Sequence, residues 1–262
     1  MSIGPSVRDL GQYLLDIGYD AVYRQSTRAT PARGANAASS EPVVVPHATP
    51  GDGARSPMPS EAAAPPSMLG AFVPAADGTL ELASVGELAS RCTACKLAAG
   101  RHSVVFGSGD PNADLMLIGE GPGAEEDRQG LPFVGRAGEL LTRMIVAIEL
   151  QRDQVYIANI VKCRPPNNRD PEPDEVAACR GFLEKQIDLV RPRVICALGR
   201  IAAQTLLGVD TPIGRMRGQW TTVRGVATMV TYHPAALLRN PALKRPTWDD
   251  LQLVRARLRE SA

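Results

Sequence analysis

Leu115-Met116-Leu117-Ile118-Gly119-Glu120-Gly121-Pro122-Gly123-Ala124-Glu125-Glu126-Asp127 decides the fold. A short apolar run that ends in glycine predicts a strand buried on both faces, as in a parallel sheet. The three glycines around Pro122 then make a tight turn poor in side chains, which lets a flat ligand approach the backbone N–H groups. The turn lacks the Lys-Ser/Thr ending of a nucleotide-binding phosphate loop.

The same alternation extends along the chain on the C-terminal side. Apolar runs predict strands at 115–118, 155–161, 194–198 and 228–232, and helical periodicity predicts helices at 137–149, 174–190 and 200–207 with a closing helix at 248–259. Strands alternating with helices give an α/β fold, a mostly parallel sheet with helices on both faces. Ligands in such folds sit beyond the carboxyl ends of the strands. The unusual segments follow strands: the glycine turn with Gly130-Leu131-Pro132-Phe133-Val134-Gly135 after the first, Cys163-Arg164-Pro165-Pro166-Asn167-Asn168-Arg169-Asp170-Pro171 after Asn159, and His233-Pro234-Ala235-Ala236-Leu237-Leu238-Arg239-Asn240-Pro241 after the fourth. A carboxylate-rich turn, a strand-end Asn and a His converging on one sheet edge point to an active site.

Outside this core, residues 1–25 predict an amphipathic helix with Val7, Leu10, Leu14 and Ile17 on one stripe, suited to docking on a protein partner. Residues 26–80 hold nine of the 22 prolines with little apolar periodicity and predict a disordered linker, leaving one domain at 81–262. No apolar run approaches the roughly 18 residues of a membrane span and no secretory leader is evident, so a cytoplasmic monomer is expected. In a reducing compartment the five cysteines are ligands or core residues rather than disulfides. Cys92 and Cys95 form a C-x2-C pair, and Cys163 and Cys179 a second pair with fifteen residues between them. Four thiolates hold zinc or a [4Fe–4S] cluster, and spacing alone does not separate these. Cys196, inside the apolar run 194–198, is a core residue. The formal net charge of +1 hides a basic end: residues 215–259 carry nine Lys and Arg against Asp249 and Asp250, which suits a polyanion-binding face.

Together these segments resemble the family 4, iron–sulfur uracil-DNA glycosylases, from about residue 82 to 258, with every motif in the family's order. The resemblance implies a three-layer α/β/α sandwich with one [4Fe–4S] cluster per chain on Cys92, Cys95, Cys163 and Cys179, acting on uracil in single- or double-stranded DNA. It implies a uracil pocket of Gly119, Glu120, Gly121, Phe133, Asn159 and His233. In that pocket Phe133 stacks on the base, Asn159 reads its O4 and N3–H edge, and His233 donates to O2 as the base leaves as an anion. Glu120 takes the water or sugar-cation role, although other branches of the superfamily carry Asp or Asn where this chain has Gly121. Glu126 is a candidate guard against the thymine methyl group. Leu237, Leu238 and Arg239 follow His233, and Leu238 or Arg239 is the candidate wedge and DNA contact; the competing reading packs Leu237 and Leu238 under the loop.

Two other functions compete. A metal-stapled DNA-binding module without catalysis leaves Glu120, Asn159 and His233 without a task. A relative that traps the abasic sugar covalently needs a histidine in the loop that here reads Pro166-Asn167-Asn168-Arg169-Asp170, and none is present. Because every assigned residue lies beyond position 82, deleting residues 1–80 should keep uracil excision from naked oligonucleotides within about tenfold of the full chain. A larger loss in a single-turnover assay would make the N-terminal segment part of the enzyme.

Overall fold

The computed structural model describes residues 82–260, so the helix expected within residues 1–25 and the linker expected at 26–80 lie outside the described residues. The elements run α1 (Leu82–Ser90), β1 (Ser108–Gly109), β2 (Leu115–Gly119), α2 (Ala124–Gln129), α3 (Arg136–Ala147), β3 (Tyr156–Asn159), α4 (Pro173–Val190), β4 (Val194–Leu198), α5 (Arg200–Leu207), α6 (Ile213–Met216), β5 (Trp220–Val223), β6 (Val226–Thr231), α7 (Pro234–Arg239) and α8 (Lys244–Arg259). The strand order is β1-β3-β2-β4-β6-β5. The four inner strands are parallel, and β1 and β5 close the edges antiparallel.

The apolar runs are buried throughout because strand side chains alternate between two packed faces. Leu115, Leu117, Ile157, Val194, Cys196, Leu198 and Met229 face one core, with Leu141 and Ile145 of α3 and Leu251 and Val254 of α8. Met116, Ile118, Tyr156, Ala158, Ile195, Ala197 and Val230 face the other, with Val85 of α1, Phe182 and Ile187 of α4, and Ala202 of α5. This is the expected three-layer sandwich, and Cys196 is core as expected. No helix among the described residues is long and apolar enough to cross a membrane.

The sequence missed both edge strands. β1 has two residues and no apolar run, while β5 is a half-exposed Thr-rich strand joined to β6 through Arg224 and Gly225, which both take positive φ, 49° and 83°. That is the two-residue hairpin turn whose twist matches antiparallel strands. The closing helix begins at Lys244 rather than 248, because Pro246 lies in the first turn, where no intrahelical N–H bond is lost. Helix α4 starts with Pro173 and a reciprocal Glu172/Glu175 cap.

The end of β6 is anchored from behind. Asp250 of α8 is 1% exposed and accepts from Thr231 Oγ1 at 2.6 Å and from Arg217 Nη2 at 2.6 Å and Nε at 3.1 Å. The Arg217 guanidinium lies over the Tyr232 ring at 5.6 Å. Removing one partner of a buried ion pair leaves the other without compensation. Asp250→Ala should therefore cost about 3 kcal/mol of stability, read as a lower urea midpoint at unchanged slope.

Candidate active site

Parallel pairing places Gly119 at the end of β2 directly beside Asn159 at the end of β3. Beyond these ends opens a cleft of about 630 Å³ whose walls include Glu120, Gly121, Phe133, Asn159, His233 and Arg239. Gly119 forms the wall behind them: a Cβ there would lie 2.5 Å from Asn159 Oδ1 and 2.6 Å from Phe133 Cζ. All six residues expected in the pocket are thus brought together. The Asn159 amide is 1% exposed, and neither its oxygen nor its nitrogen has a hydrogen-bond partner among the described residues. A buried amide is normally satisfied, so this one is set up to meet a ligand's donor and acceptor.

Phe133 is held in a left-handed conformation, φ 52°, which a non-glycine residue adopts at a cost. Its loop is clamped on both sides. Glu126 Oε1 accepts from the backbone N–H groups of Val134 and Gly135, each at 2.9 Å, and Arg152 Nη2 donates to the Pro132 carbonyl at 2.6 Å. Glu126 is therefore committed to shaping the loop that presents the aromatic ring. The Phe133 and His233 rings lie 5.5 Å apart, centroid to centroid.

His233 caps α7. Its Nδ1 accepts from the Ala235 N–H at 3.1 Å, which puts the proton of the neutral ring on Nε2. Burial, and then the positive charge of Arg239, push its pKa down to about 4, so the ring is a neutral donor at physiological pH. Glu120 moves the other way. Desolvation, followed by the nearby Asp170 carboxylate, raises it to about 7, against the opposing pull of Arg200.

Asp170 and Arg200 both line the cleft, with Arg200 Nη2 bonded to Asp170 Oδ2 at 2.5 Å, and sequence reasoning gave neither a role. Arg200 lies two residues after the end of β4, beyond Gly199, so the strand-end rule applied to the other three inner strands would have found it. Asp170 is held in place by its neighbour, since Arg169 forks onto the buried Glu175 at 2.6 and 2.8 Å. On the rim, Leu238 is 39% exposed whereas Leu237 is buried in the core, which separates the two leucines.

The basic C-terminal region is less available than its composition implied. Arg217, Arg224, Arg245, Arg255, Arg257 and Arg259 each face a carboxylate of the chain. Arg239, in contrast, lies on the cleft wall.

A second, small cavity is lined by Cys92, Cys95, Cys163 and Cys179, with Arg101 and Lys162. Arg101 Nη1 donates to Cys163 Sγ at 3.3 Å and to the Cys92 carbonyl at 2.7 Å, and the Lys162 N–H donates to Cys179 Sγ at 3.3 Å. Burial pushes the Cys179 thiol up to about 12 and raises Cys95 and Cys163 as well. Thiols so placed ionise readily only against a bound cation. No three described Cys, His, Asp or Glu residues are grouped closely enough to hold a single metal ion.

A three-layer α/β domain whose strand ends carry an unsatisfied amide, a clamped aromatic ring, a neutral imidazole and a carboxylate of raised pKa defines a hydrolase-like site for a flat polar ligand. The model of the Uracil DNA glycosylase superfamily matches residues 106–252, more than half of the chain, and the chain belongs to that superfamily. It is 44% identical over 186 residues to a type-4 uracil-DNA glycosylase of Sulfurisphaera tokodaii, covering 66% of this chain and 83% of that relative. It is 45% identical over 177 residues to the type-4 protein of Saccharolobus solfataricus, with 64% and 82% covered. It is also 45% identical over 174 residues to the type-4 protein of Thermotoga maritima, with 64% and 90% covered.

Gly119 is the tightest point of the pocket. Gly119→Ala should fold, because Phe133 and Asn159 side-chain atoms rather than backbone meet the new methyl group, but it should displace both. Affinity for free uracil, measured by calorimetry, should fall by at least tenfold, about 1.4 kcal/mol.

Proposed function

We propose the residue roles by which this chain, a type-4 uracil-DNA glycosylase, hydrolyses the bond between uracil and deoxyribose in DNA. The observation that carries the assignment is the buried, unsatisfied Asn159 amide in the same cleft as the Phe133 and His233 rings. The target base must leave the stack to reach such a pocket. Leu238 would fill the gap it leaves, and Arg239 would contact the neighbouring phosphate. Phe133 stacks on the flipped ring, and Asn159 accepts from N3–H and donates to O4. Cytosine presents the opposite pattern and leaves both amide groups unpaired, which is the stronger form of rejection.

As the glycosidic bond stretches, negative charge gathers on the base and positive charge on the sugar. His233 Nε2–H donates to O2 of the departing anion, and being neutral it gains most from that bond only as the charge develops. Glu120, ionised above about pH 7, orients the attacking water and faces the sugar cation. Asp170 and Arg200 set that carboxylate's acidity from opposite sides.

Cys92, Cys95, Cys163 and Cys179 would hold a [4Fe–4S] cluster, with Arg101 and the Lys162 N–H donating to the sulfurs. Four thiols line one shared cavity, and the resemblance to the iron–sulfur, type-4 family supports a cluster there over a lone zinc ion. Bound there, the cluster would join the segment after α1, the loop after Asn159 and the second turn of α4. Hydrolysis transfers no electrons, so its place here is structural.

Uracil release from an oligonucleotide, followed by alkaline cleavage of abasic sites, tests the activity. An anaerobic preparation with about four irons per chain tests the cluster, and stoichiometric zinc without iron would overturn it.

His233→Ala should slow single-turnover cleavage roughly a hundredfold to a thousandfold, about 3–4 kcal/mol, with little change in DNA affinity. An unaltered rate would remove His233 from the chemistry.

The cleavage rate of the natural chain should rise with pH through about 7 as Glu120 ionises. Asp170→Asn, which removes the neighbouring negative charge, should move that limb to lower pH, and Glu120→Gln should abolish it. No histidine limb should appear near pH 6.5, since His233 loses its proton near 4.

A further inference from the structure

Lys162 is 2% exposed, yet its ammonium faces no carboxylate among the described residues. Its Nζ bonds to two neutral oxygens, the Asn159 carbonyl at 2.8 Å and Gln186 Oε1 at 2.5 Å. The Gln186 amide is oriented by its own donations, to the Phe106 carbonyl at 2.9 Å and the Tyr156 hydroxyl at 3.0 Å, so its oxygen is the atom offered to Lys162. Lys162 also lines the four-cysteine cavity, directly precedes Cys163, and donates its backbone N–H to Cys179 Sγ. Gln186 lies seven residues after Cys179 on the same face of α4, so one helix holds both ends of this arrangement. The Phe106 ring lies 5.8 Å from the same Lys162 Nζ, centroid to nitrogen. A buried ammonium that meets neutral oxygens and an aromatic face but no carboxylate is expensive unless opposite charge lies close by. Metal-loaded thiolates carry such charge.

We propose that Lys162 is a positioning residue that ties the base-reading Asn159 to the four-cysteine site. The net negative charge of the thiolate-bound cluster holds the ammonium in place, and the ammonium holds the Asn159 carbonyl and with it the end of β3. The inference rests on the [4Fe–4S] assignment and goes beyond it, because it gives the cluster a part in base recognition as well as in holding the chain together. Nothing about it requires the cluster to change oxidation state. Partners lying just outside a metal site typically contribute tenfold to a hundredfold to affinity or activity.

The test compares the full anaerobically purified chain with Lys162→Met in iron content, cluster reduction potential, Kd for free uracil, and KM and kcat on a uracil oligonucleotide. Lys162→Met should keep its iron, shift the potential to a more negative value because a nearby positive charge is gone, and bind uracil about tenfold to a hundredfold more weakly, with KM raised more than kcat is lowered. Lys162→Arg, which keeps the charge, should return the potential toward that of the natural chain. If Lys162→Met does not fold, Gln186→Glu decides: its carboxylate draws the ammonium away from Asn159 and should shift potential and uracil affinity in the same directions. A folded variant whose uracil affinity matches the iron-loaded natural chain overturns the link, whatever its thermal stability. A natural chain that binds no iron would instead overturn the cluster assignment, so the two failures are distinguishable.

Discussion

Parallel pairing of β3, β2, β4 and β6 is the constraint on which everything else rests. Parallel strands leave the sheet on the same edge, so four connections that are distant in sequence emerge side by side. Gly119, Asn159, Leu198 and Thr231 mark those exits, and within three residues follow Glu120, Lys162, Arg200 and His233. The pocket is the direct product of that register. A shift of β3 by one residue would move Asn159 away from Gly119 and turn its side chain to the other face of the sheet.

The inner architecture was legible because both faces of the sheet are covered. Burial on both sides writes Leu115–Gly119 and Val194–Leu198 as apolar runs, and few other elements produce that pattern. The edge strands escaped for the same reason: β5 is half exposed and needs no apolar run. In the site, Phe133, Asn159 and His233 could be read from motifs at strand ends, and Arg200 was open to the same rule. Asp170 and Arg152 could not, because each acts through a partner that only tertiary structure supplies, as with Arg152 and the Pro132 carbonyl. The sequence showed the basic residues of the C-terminal end but not the carboxylates that meet them, such as Glu149, more than a hundred residues from Arg255 and Arg259.

Glu120 and Glu126, two carboxylates of the cleft, do different work for reasons of solvation. Glu126 spends one oxygen on two backbone N–H groups and serves as a rigid part of the loop. Glu120 is partly desolvated beside Asp170, with no comparable bonds recorded for its carboxylate, and so remains responsive to pH. A fixed group and a chemically available one thus lie six positions apart in the chain, a division that residue type alone does not reveal.

The two cores on opposite faces of the sheet meet only through the strands themselves. All four cysteines of the small cavity pack on the face of α1, α4 and α5, whereas α3 and α8, with Asp250 and the anchor of β6, belong to the other. Chemical injury to the sulfur-rich layer, by oxidants or chelators, therefore falls first on the face that carries α1, α4 and α5. A molecule damaged in this way would retain the half of the pocket built on β6 and lose the half built on β3. Its first loss would be the ability to tell one base from another, since Asn159 ends the strand nearest the sulfur-rich layer's Cys163.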